Sequence, residues 1–184
     1  VILYVFASPI LTLMYGSDSA TAFIQLLAPC FLFHYFQSPL TSVLQALNLA
    51  RAAMMNTFIG AIVKLIVIFV LASRPDFQMM GVALAIAANI VTVTFLHYAT
   101  VLKKITFTIY AKDYIFGGLA IGIAGAFGFY LHKYMIFSHS LGVQTLWEIT
   151  LTTIVYITLL FTFKLIRKEE LSRLPIIRKL SFLK

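Results

Sequence analysis

Long apolar runs separated by short polar segments make up almost the whole chain. The full runs lie at about residues 21–46, 56–73, 81–102, 114–137 and 146–166, and a shorter run opens the chain at 1–14. Each full run has about 17 residues or more, and about 20 residues of helix cross a bilayer. No run alternates polar and apolar residues as the strands of a membrane barrel do. The pattern predicts an all-α integral membrane protein, a polytopic bundle of about five full transmembrane helices plus a partial one.

The composition supports this assignment and excludes several classes of protein. Hydrophobic residues make up 61% of the chain and charged residues 11%, whereas soluble domains have about 25% charged residues. The formal net charge of +8 lies between the apolar runs and at the C-terminal end, which fits membrane topology better than nucleic-acid binding. Cys30 is the only cysteine, so an internal disulfide or a cysteine metal cluster is excluded. The expected partner is the lipid bilayer, with no nucleic acid.

Lys and Arg are distributed unevenly about the runs. Of the fourteen basic residues, eleven lie in one set of alternate loops and in the tail, two lie on the opposite side, and Lys64 lies inside a run. The eleven are Arg51, Lys103, Lys104, Lys112, Lys164, Arg167, Lys168, Arg173, Arg178, Lys179 and Lys184. Cytoplasmic loops carry such an excess. The loops at 47–55 and 103–113 and the C-terminus are therefore predicted to face the cytoplasm.

Residues 167–184 mix basic side chains with Leu, Ile and Phe. This composition predicts a basic amphipathic tail on the inner leaflet, held by apolar insertion and by attraction to anionic lipid. An ordinary solvated tail is the alternative. The transmembrane part is assigned to residues 1–166.

Polar side chains recur on one face of the second run. His34, Gln37, Thr41, Gln45 and Asn48 are three or four residues apart, so on a helix they form one continuous stripe. Because lipid offers no partners for amides, the stripe must face other helices or a wet cavity. Hydrogen bonding between helices and a substrate pathway are both open interpretations.

Three other runs carry small or polar residues at helical spacing. The third run has Asn56, Thr57, Gly60 and Lys64, the fourth has Gly81, Ala85, Ala88, Asn89 and Thr92, and the fifth has Gly118, Gly122 and Gly125. Small residues let membrane helices approach closely. We expect the face of the third run to point into protein and the other two stripes to be packing surfaces.

Lys64 stands near the middle of FIGAIVKLIVIFVLA, residues 58–72. A charge at the centre of a membrane helix costs roughly 3 kcal/mol on insertion scales. Three interpretations are open for it. The side chain can extend toward the membrane surface, it can pair with carbonyls or an acid, or it can bind the anionic headgroup of a substrate.

The sequence predicts no enzyme. The four histidines lack metal-ligand spacing, and no Ser/His/Asp constellation is present. The six carboxylates are Asp18, Asp76, Asp113, Glu148, Glu169 and Glu170. All are expected in loops, at membrane interfaces or in the tail, whereas cation antiporters carry an acid inside the membrane. No cofactor and no metal site are expected.

The order of motifs resembles a known family. SPLTSVLQALNLARAAMMNT at 38–57, the third-run Lys64 and HYATVLKKITFTIYAKDY at 97–114 are similar to the stage V sporulation protein B family. That family belongs to the polysaccharide-exporter branch of the multidrug/oligosaccharidyl-lipid/polysaccharide (MOP) superfamily. The resemblance covers essentially the whole chain and matches the C-terminal portion of the family, so the chain is expected to be part of a larger protein.

The resemblance implies a MATE-like transporter with two helical lobes that opens alternately to either side of the plasma membrane. It implies flipping of a lipid-linked cell-wall polysaccharide or peptidoglycan precursor, as in spore cortex formation, with a lipid-linked oligosaccharide and the missing N-terminal lobe as partners. A multidrug or cation antiporter and a non-transporting scaffold are the alternatives. The candidates for substrate contact are Lys64, Arg51, Gln37, Thr41, Gln45, Asn56 and Asn89.

Overall fold

The structure, a computed structural model, describes residues 1–105, 111–135 and 139–165. The tail predicted at 167–184 lies outside the described residues. The described part is helical and has no strand. Its elements are α1 (Ile2–Val5), α2 (Ala7–Tyr15), α3 (Thr21–Ala46), α4 (Ala50–Val67) with a π-helical continuation (Ile68–Ala72), α5 (Gln78–Leu102), α6 (Ala111–Tyr134) and α7 (Leu141–Thr162).

Four of the described helical segments are long and apolar enough to cross a membrane, namely Ala50–Ala72, Gln78–Leu102, Lys112–Tyr134 and Leu141–Thr162. Large apolar side chains on these helices face outward; Leu65 is 63% exposed, Phe69 78% and Phe95 68%. Water does not tolerate such a surface, but lipid does. The chain is therefore a polytopic helical membrane protein, as the apolar pattern predicts. The helix α3 is also long enough, at 26 residues. It is not among these four segments, because its polar stripe lowers its mean hydropathy.

The chain divides into two compact units. The first, Ala7–Thr108, contains α2 to α5. In it the start of α4 lies beside the end of α5, where Asn56 bonds to Thr100, so these two helices are antiparallel. The helices α3 and α5 are parallel, because Gln37 bonds to Thr94 and Leu44 clusters with Val101 further along both. The second unit, Val1–Phe6 with Ile109–Lys184, contains the antiparallel pair α6 and α7, with α1 against α6.

The turn between α3 and α4 is shorter than predicted. A loop was expected over 47–55, but α4 already begins at Ala50 because Ala, Arg and Met favour helix. Asn48 has a φ of 58°, the left-handed conformation that Asn tolerates better than most residues. The Leu49 amide donates to the Leu44 carbonyl, which closes α3 in the geometry typical of helix C-termini.

The helix α7 is displaced toward the N-terminus relative to the apolar run at 146–166. It begins at Leu141 and ends at Thr162. The end has a physical cause, because Lys164 has a φ of 56° and the Leu165 amide donates to the Leu160 carbonyl. The early start places Glu148 in the second turn of the helix instead of at its beginning.

The two predicted packing stripes behave differently. Gly81 of α5 lies against the backbone of the π segment, where an added Cβ would stand 2.7 Å from the Ala72 nitrogen, and Ala85 is fully buried. On α6, however, a Cβ at Gly118 or Gly122 would meet no atom within 4 Å in the described part of the chain. The packing prediction is therefore wrong for these two glycines within the described residues. Nothing in the apolar pattern distinguished the two stripes.

Candidate functional site

A hydrogen-bonded contact joins α3 to α5. The Gln37 amide nitrogen donates to the Ile90 carbonyl and to the Thr94 hydroxyl oxygen, both at 3.0 Å. The Thr94 hydroxyl in turn lies 3.1 Å from the Phe33 carbonyl and 2.8 Å from the Ile90 carbonyl, to which it can donate. Thr94 is 8% exposed. The polar stripe of α3 therefore serves helix packing at Gln37, one of the two interpretations left open.

A second polar contact joins α4 to α5. The Asn56 amide nitrogen donates to the Thr100 hydroxyl oxygen at 3.0 Å, and Asn56 is 8% exposed. His97, one turn before Thr100 on the same helix, is 2% exposed, and its Nδ1 has no hydrogen-bond partner among the described residues. The α2–α5 unit thus carries a buried polar layer across three helices, anchored by Gln37 and Asn56.

Lys64 lies one helical turn beyond a close contact between α4 and α5. A Cβ built on Gly60 would stand 2.8 Å from the Asn89 side-chain oxygen and overlap Val93. Because the two helices are antiparallel, four residues forward from Gly60 correspond to four residues back along α5. Lys64 therefore lies within about one turn of the level of Asn89, between Asn89 and Ala85.

The surroundings of Lys64 leave its charge unneutralised within the structure. The side chain is half-buried, and the ion pair present among the described residues involves His132 and Glu148 instead. Lys64 is fourteen residues from Ala50, the first residue of α4, about 21 Å along the helix. The opposite end, at Ala72, is eight residues away, about 12 Å.

The remaining candidates lie around the α3–α4 turn. Thr41 is half-buried and its hydroxyl donates to the Gln37 carbonyl at 2.7 Å, within its own helix. Gln45 and Arg51 are exposed on either side of the turn. The structure therefore places Lys64 within about one turn of Asn89 along the α4–α5 contact, and it places Gln45 in the last turn of α3 and Arg51 in the first turn of α4.

A further polar site lies between α6 and α7. Glu148 is 1% exposed, and its Oε2 is 3.0 Å from the Nδ1 of His132. Its Oε1 accepts a hydrogen bond of 2.6 Å from the Gln144 amide nitrogen, which also donates to the Met135 carbonyl at 2.8 Å. The Phe6 ring packs edge-on against His132, with ring centroids 5.9 Å apart.

Sequence reasoning missed this site. It placed Glu148 at a membrane interface, whereas the residue lies seven positions inside α7, about 10 Å from its start, and is buried between helices. The residues Gln144, Glu148 and Thr152 recur at a spacing of four. That spacing was the available signal for one inward-facing polar stripe.

Comparisons with known proteins agree with the resemblance carried by residues 38–57 and 97–114. The chain is 48% identical over 180 residues, 98% of its length, to stage V sporulation protein B of Bacillus subtilis (strain 168), and this match covers 35% of that protein. It is 33% identical over 109 residues to sporulation protein YkvU of the same organism, a match that covers 59% of this chain and 24% of that protein. No family model and no solved structure matches the chain. The chain spans about a third of the length of the first relative, and over nearly all of its own residues it is similar to stage V sporulation protein B.

Proposed function

We propose that the chain is part of a flippase that moves a lipid-linked cell-wall saccharide precursor across the plasma membrane during sporulation. The observation that carries this proposal is the 48% identity to stage V sporulation protein B over 98% of the chain. In this proposal the chain forms the C-terminal part of a two-lobe, MATE-like transporter that opens alternately to each side. The first lobe, supplied by the rest of the protein, completes the central cavity.

Lys64 is the proposed contact for the anionic headgroup of the substrate. It is half-buried in an apolar helix, and a cation there is unfavourable unless a partner offsets its charge. No carboxylate of the described residues forms an ion pair with it. A pyrophosphate oxygen would supply that partner, since an ammonium group acts as a compact point charge on phosphate. Asn89, within about one turn of that level, offers an amide to a sugar or phosphate oxygen.

The surface beside Lys64 suits the hydrocarbon part of a lipid-linked saccharide. An open apolar hollow is lined by Leu65, Ile66, Ile68, Phe69, Ala72 and Ser73. A lipid-linked saccharide carries a long hydrocarbon chain next to its phosphates, and this hollow begins at the residue after Lys64. We propose that the lipid chain lies along it while the headgroup contacts Lys64.

Substitution of Lys64 tests the headgroup contact. We expect Lys64→Gln in the full-length protein to insert normally and to lose most flipping of a fluorescent lipid-linked saccharide in reconstituted vesicles. Lys64→Arg should retain part of the activity because it keeps the charge but changes its geometry. Lys103→Gln, at an exposed loop lysine, is the matched control and should flip at the wild-type rate. Wild-type flipping by a well-inserted Lys64→Gln variant would exclude the contact.

One observation favours a second candidate function. A cation antiporter of the same fold needs an acid within the membrane, and the buried Glu148 of α7 supplies one. Drug or cation efflux by vesicles that show no flipping of the lipid-linked saccharide would favour this alternative. Loss of both activities, with normal sporulation supported by the inactive protein, would favour a scaffold.

A further inference from the structure

Among the Asp and Glu residues that the structure describes, Glu148 is the one buried within a membrane-spanning helix. Its side chain is 1% exposed, whereas His132, which contacts it at 3.0 Å, has a side chain that is 40% exposed. His132 lies in the last turn of α6. The histidine of the pair is therefore near the end of the α6–α7 hairpin, whereas the carboxylate is enclosed between the helices. A group that connects the exterior to a buried carboxylate in this way provides a path for a proton.

The polar groups continue inward beyond the carboxylate. Thr152 lies one turn deeper on α7, it is 1% exposed, and its hydroxyl oxygen has no hydrogen-bond partner among the described residues. Gln144 lies one turn toward the end of the hairpin and donates to Glu148 Oε1. The polar face of α7 therefore runs from the connecting loop through Glu148 to a buried hydroxyl. A purely structural salt bridge does not require that continuation.

The other charged groups near the pair can be enumerated by element. On α6, the Lys133 ammonium lies over the rings of Phe129 and Tyr134, 5.9 and 5.3 Å from their centroids. From α1 comes Tyr4. The connecting segment carries the exposed His139. His132 contacts Glu148 directly, with its Nδ1 3.0 Å from Oε2.

The charge balance of the pair defines its two states. Because a carboxylate can only accept hydrogen bonds, Nδ1 of His132 carries the hydrogen that points to Oε2. With Nε2 unprotonated, the pair has a net charge of minus one. A proton from water that adds to Nε2 forms an imidazolium next to the carboxylate, and the pair becomes neutral overall. Imidazole is the side chain that ordinarily exchanges a proton near neutral pH.

We infer that Glu148 and His132 form a proton-binding site, which exchanges its proton with the aqueous phase at the α6–α7 hairpin end. This inference goes beyond the proposed flipping activity and does not depend on it. If the full-length protein is a flippase, the site offers it a coupling proton. If the full-length protein is not a flippase, the Glu148–His132 pair still binds a proton.

Infrared difference spectroscopy of the full-length protein in lipid nanodiscs tests the site. The wild-type spectrum minus that of Glu148→Gln isolates the carboxylate stretch of Glu148. We expect this band to shift when the pH is lowered far enough to protonate the pair, because imidazolium formation changes the hydrogen bond at Oε2. In a His132→Asn background the band should no longer respond to pH. In a His139→Asn background, the matched control at an exposed histidine of the same hairpin, it should respond as in the wild type.

Two results would overturn the inference. One is a Glu148 band that does not respond to pH in the wild type, and the other is an equal response in the His132→Asn background. If Glu148→Gln does not fold, Glu148→Asp provides the same band assignment, because it keeps the carboxylate and changes its position. The readout does not involve transport, so failure of the flippase proposal and failure of this site can be told apart.

Discussion

At the scale of single residues, the hydrogen bonds of Thr94 show how this chain uses polarity in lipid. Its hydroxyl group accepts from Gln37 and lies within bonding distance of the carbonyl oxygens of Phe33 and Ile90. Every polar atom in a bilayer core needs such a partner because no water is there to supply one. The net gain is nevertheless modest, since the unfolded chain in the membrane also finds partners.

We predict that Thr94→Val lowers the free energy of unfolding by about 0.6 to 1.7 kcal/mol, the range for hydrogen bonds between membrane helices. Valine has nearly the same shape, so the loss reports the hydroxyl group. Denaturant titration of the full-length protein in mixed micelles would measure it. Thr150→Val is the control, because the exposed Thr150 hydroxyl donates only within its own helix, to Leu146. An equal loss in both variants would contradict the role given to Thr94.

The residue scale also shows what the sequence could predict about the site. The spacing of polar residues on α3 and α4 correctly predicted that Gln37 and Asn56 turn inward, because a single helix determines its own periodicity. It was wrong for other members of the same two stripes, since His34, Gln45, Asn48 and Thr57 are exposed within the described residues. The pairing of Glu148 with His132 was not predictable in this way. It depends on where α7 begins and on which turn of α6 it meets, and both are set by tertiary packing and by the end of the apolar run.

At the scale of elements, helix boundaries departed from the apolar runs for identifiable reasons. Polar or charged residues at the ends of a run do not stop a helix, so α4 extends back through Arg51 to Ala50 and α7 begins at Leu141. Helices stop instead where the backbone turns left-handed, as at Asn48 and Lys164. The long helices therefore follow the apolar runs but not their first and last residues, and four of the described helical segments are long and apolar enough to cross a membrane.

The close approach of α5 to the π segment gives an element-scale prediction. A Cβ at Gly81 would stand 2.7 Å from the Ala72 nitrogen and 2.8 Å from the Leu71 carbonyl carbon, both backbone atoms. We expect Gly81→Ala to destabilise the protein by about 1 to 3 kcal/mol, as overpacking does, and to lower its melting temperature in detergent. Gly118→Ala, where a Cβ meets nothing within 4 Å, should leave the melting temperature unchanged or raise it slightly. A larger effect at Gly118 than at Gly81 would show that the contact at Gly81 is misplaced.

At the scale of the whole molecule, each unit gathers its basic residues at one end. In the α2–α5 unit, the cluster of Leu44, Ala53 and Val101 joins the α3–α4 turn to the end of α5, so Arg51 and Lys103 lie at the same end. In the α6–α7 unit, Phe116 contacts Phe163 at a centroid distance of 5.2 Å. That contact brings the start of α6, with Lys112, to the end of α7, with Lys164.

This arrangement explains why the distribution of Lys and Arg among the loops can predict a membrane topology. Alternate loops are grouped at one end only if successive helices are antiparallel. The pairs α4–α5 and α6–α7 are antiparallel, as Asn56 with Thr100 and His132 with Glu148 show. The His132–Glu148 pair then lies at the opposite end of its unit from Lys112 and Lys164. Which end faces the cytoplasm is a matter of insertion, decided by the excess of Lys and Arg.

We predict that the end of the first unit that carries Arg51 and the end of the second unit that carries Lys112 and Lys164 both face the cytoplasm, and that the His132 end of the second unit faces outward. In a background with Cys30→Ser and without other cysteines, single cysteines at Ala50 and at His139, both exposed positions, report the two sides. An impermeant maleimide added to intact cells should label His139→Cys at once and Ala50→Cys only after the membrane is opened. The reverse order would invert the topology, and the proton site would then exchange with the cytoplasm. Labelling of both positions in intact cells would mean that at least one of α4, α5 and α6, the three helices between them, does not cross the membrane, and the alternating topology would be wrong.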